Sequence, residues 1–219
     1  AANIRAAQLF QFITSTVVRV DDLETAEMIK LIDNTQRDVF FGFSNEVARI
    51  CDRVGISATE VITAGKLGYP RTNLAMPGPV GGPCLSKDSY LLTEGLSEMG
   101  LSLDISSAAR KVNEEQPFEA IRHVQSTTSQ LGGFPAKPVI CLQEFGLEPV
   151  ESLSAAFDGA HLIVIANNHP AFAGMSIETL GAEMARPGLI YDFWNHFDAR
   201  ELDLPKGIGY MAIGAHGRA

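Results

Sequence analysis

The sequence predicts an α/β protein in two parts: an all-helical region built on one long helix over residues 1–130, then a parallel-sheet region over 131–219. Three observations carry this. Apolar residues recur at helical spacing from Leu23 to about Val54. A Gly/Pro-dense loop ending at Cys84 interrupts the helical texture. Past Gly132-Gly133, short apolar runs alternate with helical segments, as in parallel sheets with crossover helices.

Residues 7–12 form a helical turn in this reading, and Thr16-Val17-Val18-Arg19-Val20 a short strand. In the long helix the periodic residues are Ala26, Ile29, Ile32, Phe40, Phe43, Val47, Ile50 and Cys51. Asp21 or Asp22 supplies the cap, and Gly55 occupies the left-handed stop position. A helix of that length packs along several neighbours or against a second subunit. Ser57-Ala58-Thr59-Glu60 is a capping box that opens a short helix ending between Gly65 and Gly68. From Gly68 to Cys84 the chain holds Pro70, Pro77, Pro79, Pro83, Gly78, Gly81 and Gly82, so it is an irregular loop. Helix resumes at Lys87 or Asp88 and runs to about Met99. Another begins at Ile105, is punctuated by Pro117 and continues towards Thr128. Strands follow at 139–142, 161–166, 189–193 and 208–213, separated by helices near 149–157 and 176–184.

Composition narrows the classes of function. Of 219 residues, 17 are Lys or Arg and 26 Asp or Glu, a net charge of −9. An acidic surface of this kind disfavours nucleic acid and anionic membrane as partners. No stretch approaches the roughly 20 apolar residues of a membrane helix. Three cysteines, odd in number and far apart, fit a reducing cytoplasm better than a disulfide framework. The first residues carry no signal-peptide layout and no Met, which leads us to expect that the chain begins inside a longer protein or follows processing.

The candidate chemistry centres on the loop Gly78-Pro79-Val80-Gly81-Gly82-Pro83-Cys84-Leu85-Ser86-Lys87-Asp88. Its paired glycines let backbone amides approach an anion or a sugar. Cys84 follows them close to a helix start, where the dipole and Lys87 favour a thiolate suited to attack on a carbonyl. Read from the residues alone, the same stretch also describes a tight turn around an inert thiol. On the long helix Lys30 and Asn34 are four apart and share a face with Asp38, either to stabilise an oxyanion or as a solvated polar stripe. Asn45-Glu46 fits the solvated stripe. Arg71 reaches for a phosphate or solubilises the surface. Asn113 reads as a cap or a ligand contact. His161 and His169 lack partners at metal-ligand spacing, so no metal site is expected. Trp194 and His196 read as packing, and Cys51 and Cys141 as core thiols.

Several of these segments resemble a known family. Ala26-Glu27-Met28-Ile29-Lys30-Leu31-Ile32-Asp33-Asn34-Thr35, with Asn45-Glu46, resembles the AEMxKLxxNxxR…NE helix of the UDP-glucose/GDP-mannose dehydrogenase family. The Cys84 loop resembles that family's GPxVGGxCxxKD, and residues 109–117 its aRxxNxxxP segment. Residues 158–170 and Tyr191-Asp192 are similar, more loosely, to its C-terminal domain. The resemblance implies a homodimer paired through the long helix and a Rossmann-like, partial nucleotide-sugar domain over 131–219. It implies an NAD-dependent enzyme of polysaccharide biosynthesis that oxidises C6 of a UDP-sugar from alcohol to carboxylate with two NAD in succession. Cys84 then forms the thiohemiacetal and thioester. Lys30 and Asn34 stabilise the oxyanion or place water, and Asp88 orients water or Lys30. Gly78, Val80, Gly81, Gly82 and Lys87 hold the sugar, and Arg71 contacts substrate, from across a dimer interface in one arrangement. The Lys87 form of the loop and Arg71 lean towards N-acetylated hexosamine or uronate-forming bacterial-type enzymes.

Two departures stand against this. No G-x-G-x-x-G follows a strand, so the NAD-binding domain is not expected in this chain. The family's GLAFKxxTDDxRxS stretch is also missing, because Leu131-Gly132-Gly133 leads straight to the Lys137-Pro138-Val139-Ile140 strand, whose yDP end is replaced by Gln143-Glu144-Phe145. A half-sheet without its first strand and helix would expose an edge, so segments of a longer polypeptide are expected to be absent. The sequence therefore supports either a part of a UDP-sugar 6-dehydrogenase, inactive alone, or a non-catalytic truncated homologue serving dimerisation or sugar-nucleotide binding. A thiol hydrolase would need a histidine base, and none is near Cys84 in sequence.

Overall fold

The computed structural model describes residues 2–69, 71–135, 140–142 and 152–214. The expected strand start at Val139, helix start at Pro149 and the Gln143-Glu144-Phe145 stretch lie outside the described residues. The chain opens with α1 (Ala2–Phe10). The strand expected at 16–20 does not form: the segment joins no ladder among the described residues, and a strand without a ladder leaves its backbone to water.

The long helix α2 (Leu23–Val54) has 32 residues, so it extends on the order of 48 Å. Asp22 caps it, its carboxylate accepting from the Thr25 amide at 2.6 Å. Gly55 closes it at φ 81°, donating to the Cys51 carbonyl. Ser57 caps α3 (Ala58–Lys66) by accepting from the Glu60 amide. An irregular loop leads to α4 (Asp88–Ser97), and α5 (Asp104–Gln130) is one continuous helix that runs through Pro117.

The face that α2 buries is not its apolar one. Asn34, Thr35, Asp38, Gly42, Ser44, Asn45, Ala48 and Cys51 point inward. Ile29, Ile32, Phe40, Phe43 and Ile50, from the periodic apolar stripe, are each about half exposed, between 47% and 54%. Only Cys51 and the half-buried Val47 from the expected stripe reach the core. The reason is the neighbour: α5 lies so close that a Cβ on Gly42 would stand 2.8 Å from that of Ala109. Small and hydrogen-bonding residues fill this narrow seam, leaving the bulky side chains outside.

After α5 come β1 (Ile140–Leu142), α6 (Leu153–Phe157), β2 (Leu162–Ile165), a 3₁₀ turn (Phe172–Gly174), α7 (Ile177–Glu183), β3 (Gly188–Asp192) and β4 (Ile208–Ala212). The four strands are parallel in the order β1-β2-β3-β4. Alternation along them separates two faces. Ile163, Ile165, Ile190 and Tyr210 pack with Phe157 and Ile177 of the crossover helices. Leu162, Leu189 and Tyr191 pack with Ala48, Cys51, Ala58 and Ala120 of the helical region. Helices and sheet thus share one apolar layer, sealed where the Ala58 amide donates to the Gly214 carbonyl at 2.6 Å. Burial pushes the Cys51 thiol and the Tyr191 hydroxyl up from their ordinary pKa values.

The seam predicts its own weakest point. Gly42→Ala should destabilise the protein by about 1–3 kcal/mol, since the new methyl overlaps the Ala109 backbone and both helices are rigid. Thermal or urea unfolding of the variant checks this; unchanged stability would mean α5 can move away from α2 at little cost.

Candidate active site

The Cys84 loop is anchored at two points, and both anchors lead to Asp38. This carboxylate is fully buried in the middle of α2. Its Oδ1 accepts from Arg110 Nη1 at 3.0 Å and Asn113 Nδ2 at 2.7 Å, and its Oδ2 accepts from Ser89 Oγ at 3.0 Å. Arg110 Nη1 also donates to the Leu85 carbonyl at 2.9 Å, gripping the residue after Cys84. Asn113 Oδ1 accepts from Asn45 Nδ2. Asn45 in turn clamps Gly78 on both backbone groups, accepting from its amide at 2.8 Å and donating to its carbonyl at 3.0 Å. Four charged or amide side chains are desolvated here, and each bonds to another of the set, while Arg110 Nε has only the Glu114 carboxylate at 3.4 Å.

Between the anchors, Gly81, Gly82, Pro83 and Cys84 are exposed. Gly82 takes φ 95°, which side-chain-bearing residues rarely adopt, and a Cβ on Gly81 or Gly82 would meet no atom within 4 Å. The amides of Gly81, Gly82 and Cys84 donate to no described group. The Cys84 thiol is free and exposed. Its carbonyl accepts from the Asp88 amide at 2.9 Å, so the thiol stands one turn before α4.

The structure brings Lys30, Asn34, Lys87 and Asp88 into one chain of contacts beside this turn. Lys30 Nζ approaches Asn34 Oδ1 at 3.4 Å, Asn34 Nδ2 donates to Asp88 Oδ2 at 2.5 Å, and Lys87 Nζ pairs with Asp88 Oδ1. Asn34 and Asp88 are buried and are not part of a solvated stripe, whereas Lys30 is exposed. The hydrogen bonds from Lys87 and then Asn34 hold the Asp88 carboxyl below the ordinary carboxylate range despite burial, with the Lys87 and Lys30 charges adding to them. The same bond from Lys87 to Asp88 raises the lysine, and the charge of Cys84 adds to it. Asn34 keeps one amide proton and Lys30 two ammonium protons for another acceptor.

The remaining expected contacts fall elsewhere. Arg71 is exposed and bonds to no described residue. Gly78 is buried with both polar groups already engaged by Asn45, so it positions the loop. Val80 is half-buried. Cys141 lies on β1. Among the described residues no three His, Cys, Asp or Glu side chains converge as a metal site, and no helix is long and apolar enough to cross a membrane. Arg110 and the clamp of Asn45 were missed in the sequence reading. The polar spacing of Asn34, Asp38 and Asn45 was a signal, for it repeats at helical intervals around the small residue Gly42.

Residues 24–115, which carry every one of these groups, match the model of the UDP-glucose/GDP-mannose dehydrogenase family, central domain. The chain belongs to this family. It is 30% identical to UDP-N-acetyl-D-mannosamine dehydrogenase of Pyrococcus horikoshii, with 98% of this chain and 57% of the relative covered. It is 28% identical to NDP-N-acetyl-D-galactosaminuronic acid dehydrogenase of Ralstonia nicotianae, covering 97% of this chain and 52% of that one. The solved structure of UDP-D-ManNAc dehydrogenase from Pyrococcus horikoshii superposes with a TM-score of 0.82 at 26% identity, over 96% of this chain and 57% of that structure. The chain thus spans about half the length of the relatives it matches. The Pyrococcus alignment runs over 249 positions, more than the 219 residues of this chain, so the relative carries inserted segments with no counterpart here.

The family relation brings the dinucleotide question with it. Among the described residues, β2 leads into Ala166-Asn167-Asn168 and β3 into Phe193-Trp194-Asn195, and neither opens through glycines into a helix. Such turns offer no close backbone approach to a pyrophosphate, so they do not fit NAD.

Asp38 makes a sharp prediction. Asp38→Ala leaves the Arg110 guanidinium buried without its carboxylate and should destabilise the fold by about 3–5 kcal/mol. Denaturant unfolding of this variant and of the double variant Asp38→Ala/Arg110→Met measures it, and the double variant should recover part of the loss. A single variant as stable as the parent would show that Arg110 finds another partner.

Proposed function

We propose that this chain is the thiol-bearing part of an NAD-dependent nucleotide-sugar 6-dehydrogenase acting on a UDP-N-acetylhexosamine. In this reading residues 1–130 form the helical catalytic domain and 131–219 a partial nucleotide-sugar domain. The observation that carries the proposal is the exposed Cys84 between two anchored backbone points, beside the Lys30–Asn34–Asp88–Lys87 chain. The names of the relatives favour an N-acetylated sugar.

The steps assigned to this chain need only its own residues. Cys84 Sγ adds to C6 of the sugar aldehyde, forming the C–S bond while the carbonyl electron pair moves onto oxygen. The free protons of Lys30 and Asn34 stabilise that oxygen. Once oxidation has produced the thioester, water adds at the same carbon and the sulfur leaves as thiolate. Asp88, held ionised, orients the water or Lys30. Gly81, Gly82 and Val80 line the sugar, and Lys87 and Arg71 meet its substituents or phosphates. NAD supplies the oxidising power from outside the described residues.

The exposed stripe of α2 supports a homodimer. Ile29, Ile32, Phe40, Phe43, Ile50 and Val54 follow one another at intervals of 3, 8, 3, 7 and 4 residues, which a helix of 3.6 residues per turn brings to one side, and all are exposed. A seam of this period fits a second helix along its length. The non-catalytic alternative, a dimerising module, draws on this same surface.

Three experiments test these readings. A UDP-N-acetyl-D-mannosamine 6-aldehyde should add to the protein, seen by intact mass, and should not add to Cys84→Ala. The parent UDP-sugar should slow iodoacetamide alkylation of Cys84 while Cys51 stays unreactive. Alkylation indifferent to the sugar, with no adduct, would exclude the catalytic reading and leave the module. Phe43→Glu should convert a dimer into a monomer in sedimentation analysis; an unchanged sedimentation coefficient would place the interface elsewhere.

A further inference from the structure

Gly78, the upstream anchor of the Cys84 loop, is held from two sides. Asn45 takes its two backbone groups from the α2 side. On the other side is Trp194: a Cβ built on Gly78 would stand 2.9 Å from Cζ3 and 3.1 Å from Cε3 of the indole. No side chain larger than hydrogen fits between them. The ring is itself fixed at the C-terminal rim of the sheet. Its Nε1 donates to the carbonyl of Ala166, just past β2, at 3.1 Å, and its backbone amide donates to Asp192 Oδ1, at the end of β3, at 2.9 Å. Asp192 is fully buried, and its Oδ2 also accepts from the Tyr210 hydroxyl at 2.8 Å and the His196 amide at 2.6 Å. The indole therefore has little freedom to retreat.

We propose that Trp194 is a positioning residue for the Cys84 thiol. Its ring presses Gly78 onto Asn45, so the strand ends of the sheet help set where the helical region presents the nucleophile. Without the indole, Gly78 keeps only the Asn45 clamp, which water can then reach and compete for. The segment from Gly78 to Leu85 would lose the rigidity of one anchor while Arg110 keeps the other. The proposal rests on Cys84 being the reactive thiol.

The test compares Trp194→Ala, Trp194→Phe and Gly78→Ala with the parent protein. Three quantities are read: amide exchange at Gly78, the alkylation rate of Cys84 by iodoacetamide, and tryptophan emission. In Trp194→Ala, protection of the Gly78 amide should fall about tenfold or more, a loss of about 1.4 kcal/mol. Cys84 should alkylate several-fold faster, while amides within α4 keep their protection. Trp194→Phe retains an aromatic face and should restore most of both values. Trp194 is the sole tryptophan of the chain, so its displacement in Gly78→Ala should shift the emission to the red. Parent-like exchange and alkylation in both Trp194 variants overturn the proposal, as does unshifted emission in a folded Gly78→Ala. Should Trp194→Ala fail to fold, the emission of Gly78→Ala still decides. Failure of the parent to take up the sugar aldehyde would instead count against Cys84 as nucleophile and leave the exchange and emission results standing.

Discussion

A carboxylate removed from water must be met by donors, and the helical region is arranged around that requirement at Asp38. Ser89 comes to it from α4, Arg110 and Asn113 from α5. Each donor brings its own helix to a defined height along α2. The same donors have spare valence, which they direct to the loop: Arg110 to Leu85, and Asn113 through Asn45 to Gly78. Helix packing and placement of the Cys84 loop are therefore one hydrogen-bonded arrangement. An apolar core of equal volume would pack three helices as tightly and would have no group with which to hold an irregular loop.

This explains the inverted faces of α2. A narrow seam around Gly42 and Ala109 admits small or hydrogen-bonded groups and excludes Phe40 and Phe43. Amphipathicity normally points the apolar stripe at the chain's own core. Here the stripe is left outside, and the polar stripe carries the interior contacts.

Local signals in the sequence were legible because local physics determines them. Asp22, Gly55 and Ser57 mark helix ends through bonds that span a few residues, and the observed ends coincide with the expected ones. The strands were readable from runs of Leu, Ile and Val, and their parallel order from the helices between them. What the sequence hid was long-range. Nothing near Asn45 announces Gly78, thirty-three residues away, and nothing near Arg110 announces Leu85. The segment at 16–20 has strand-like composition, but a strand exists only with a partner, and among the described residues none pairs with it. Of the candidate site, Lys30 with Asn34 and Lys87 with Asp88 are paired by local spacing, whereas the Asn34–Asp88 bond that joins the pairs spans 54 residues and was not legible. The distant Arg71 does not join them, and Gly78 proves to be occupied by the scaffold.

The contact between Gly78 and Trp194 also carries a consequence for how such chains can diverge. Two positions 116 residues apart share one fixed volume. A lineage that gains a methyl at the first must shrink the ring at the second, in either order through a poorly packed intermediate. The pair should drift together or not at all, so descendants of this chain are expected to preserve a matched combination of sizes rather than either residue by itself.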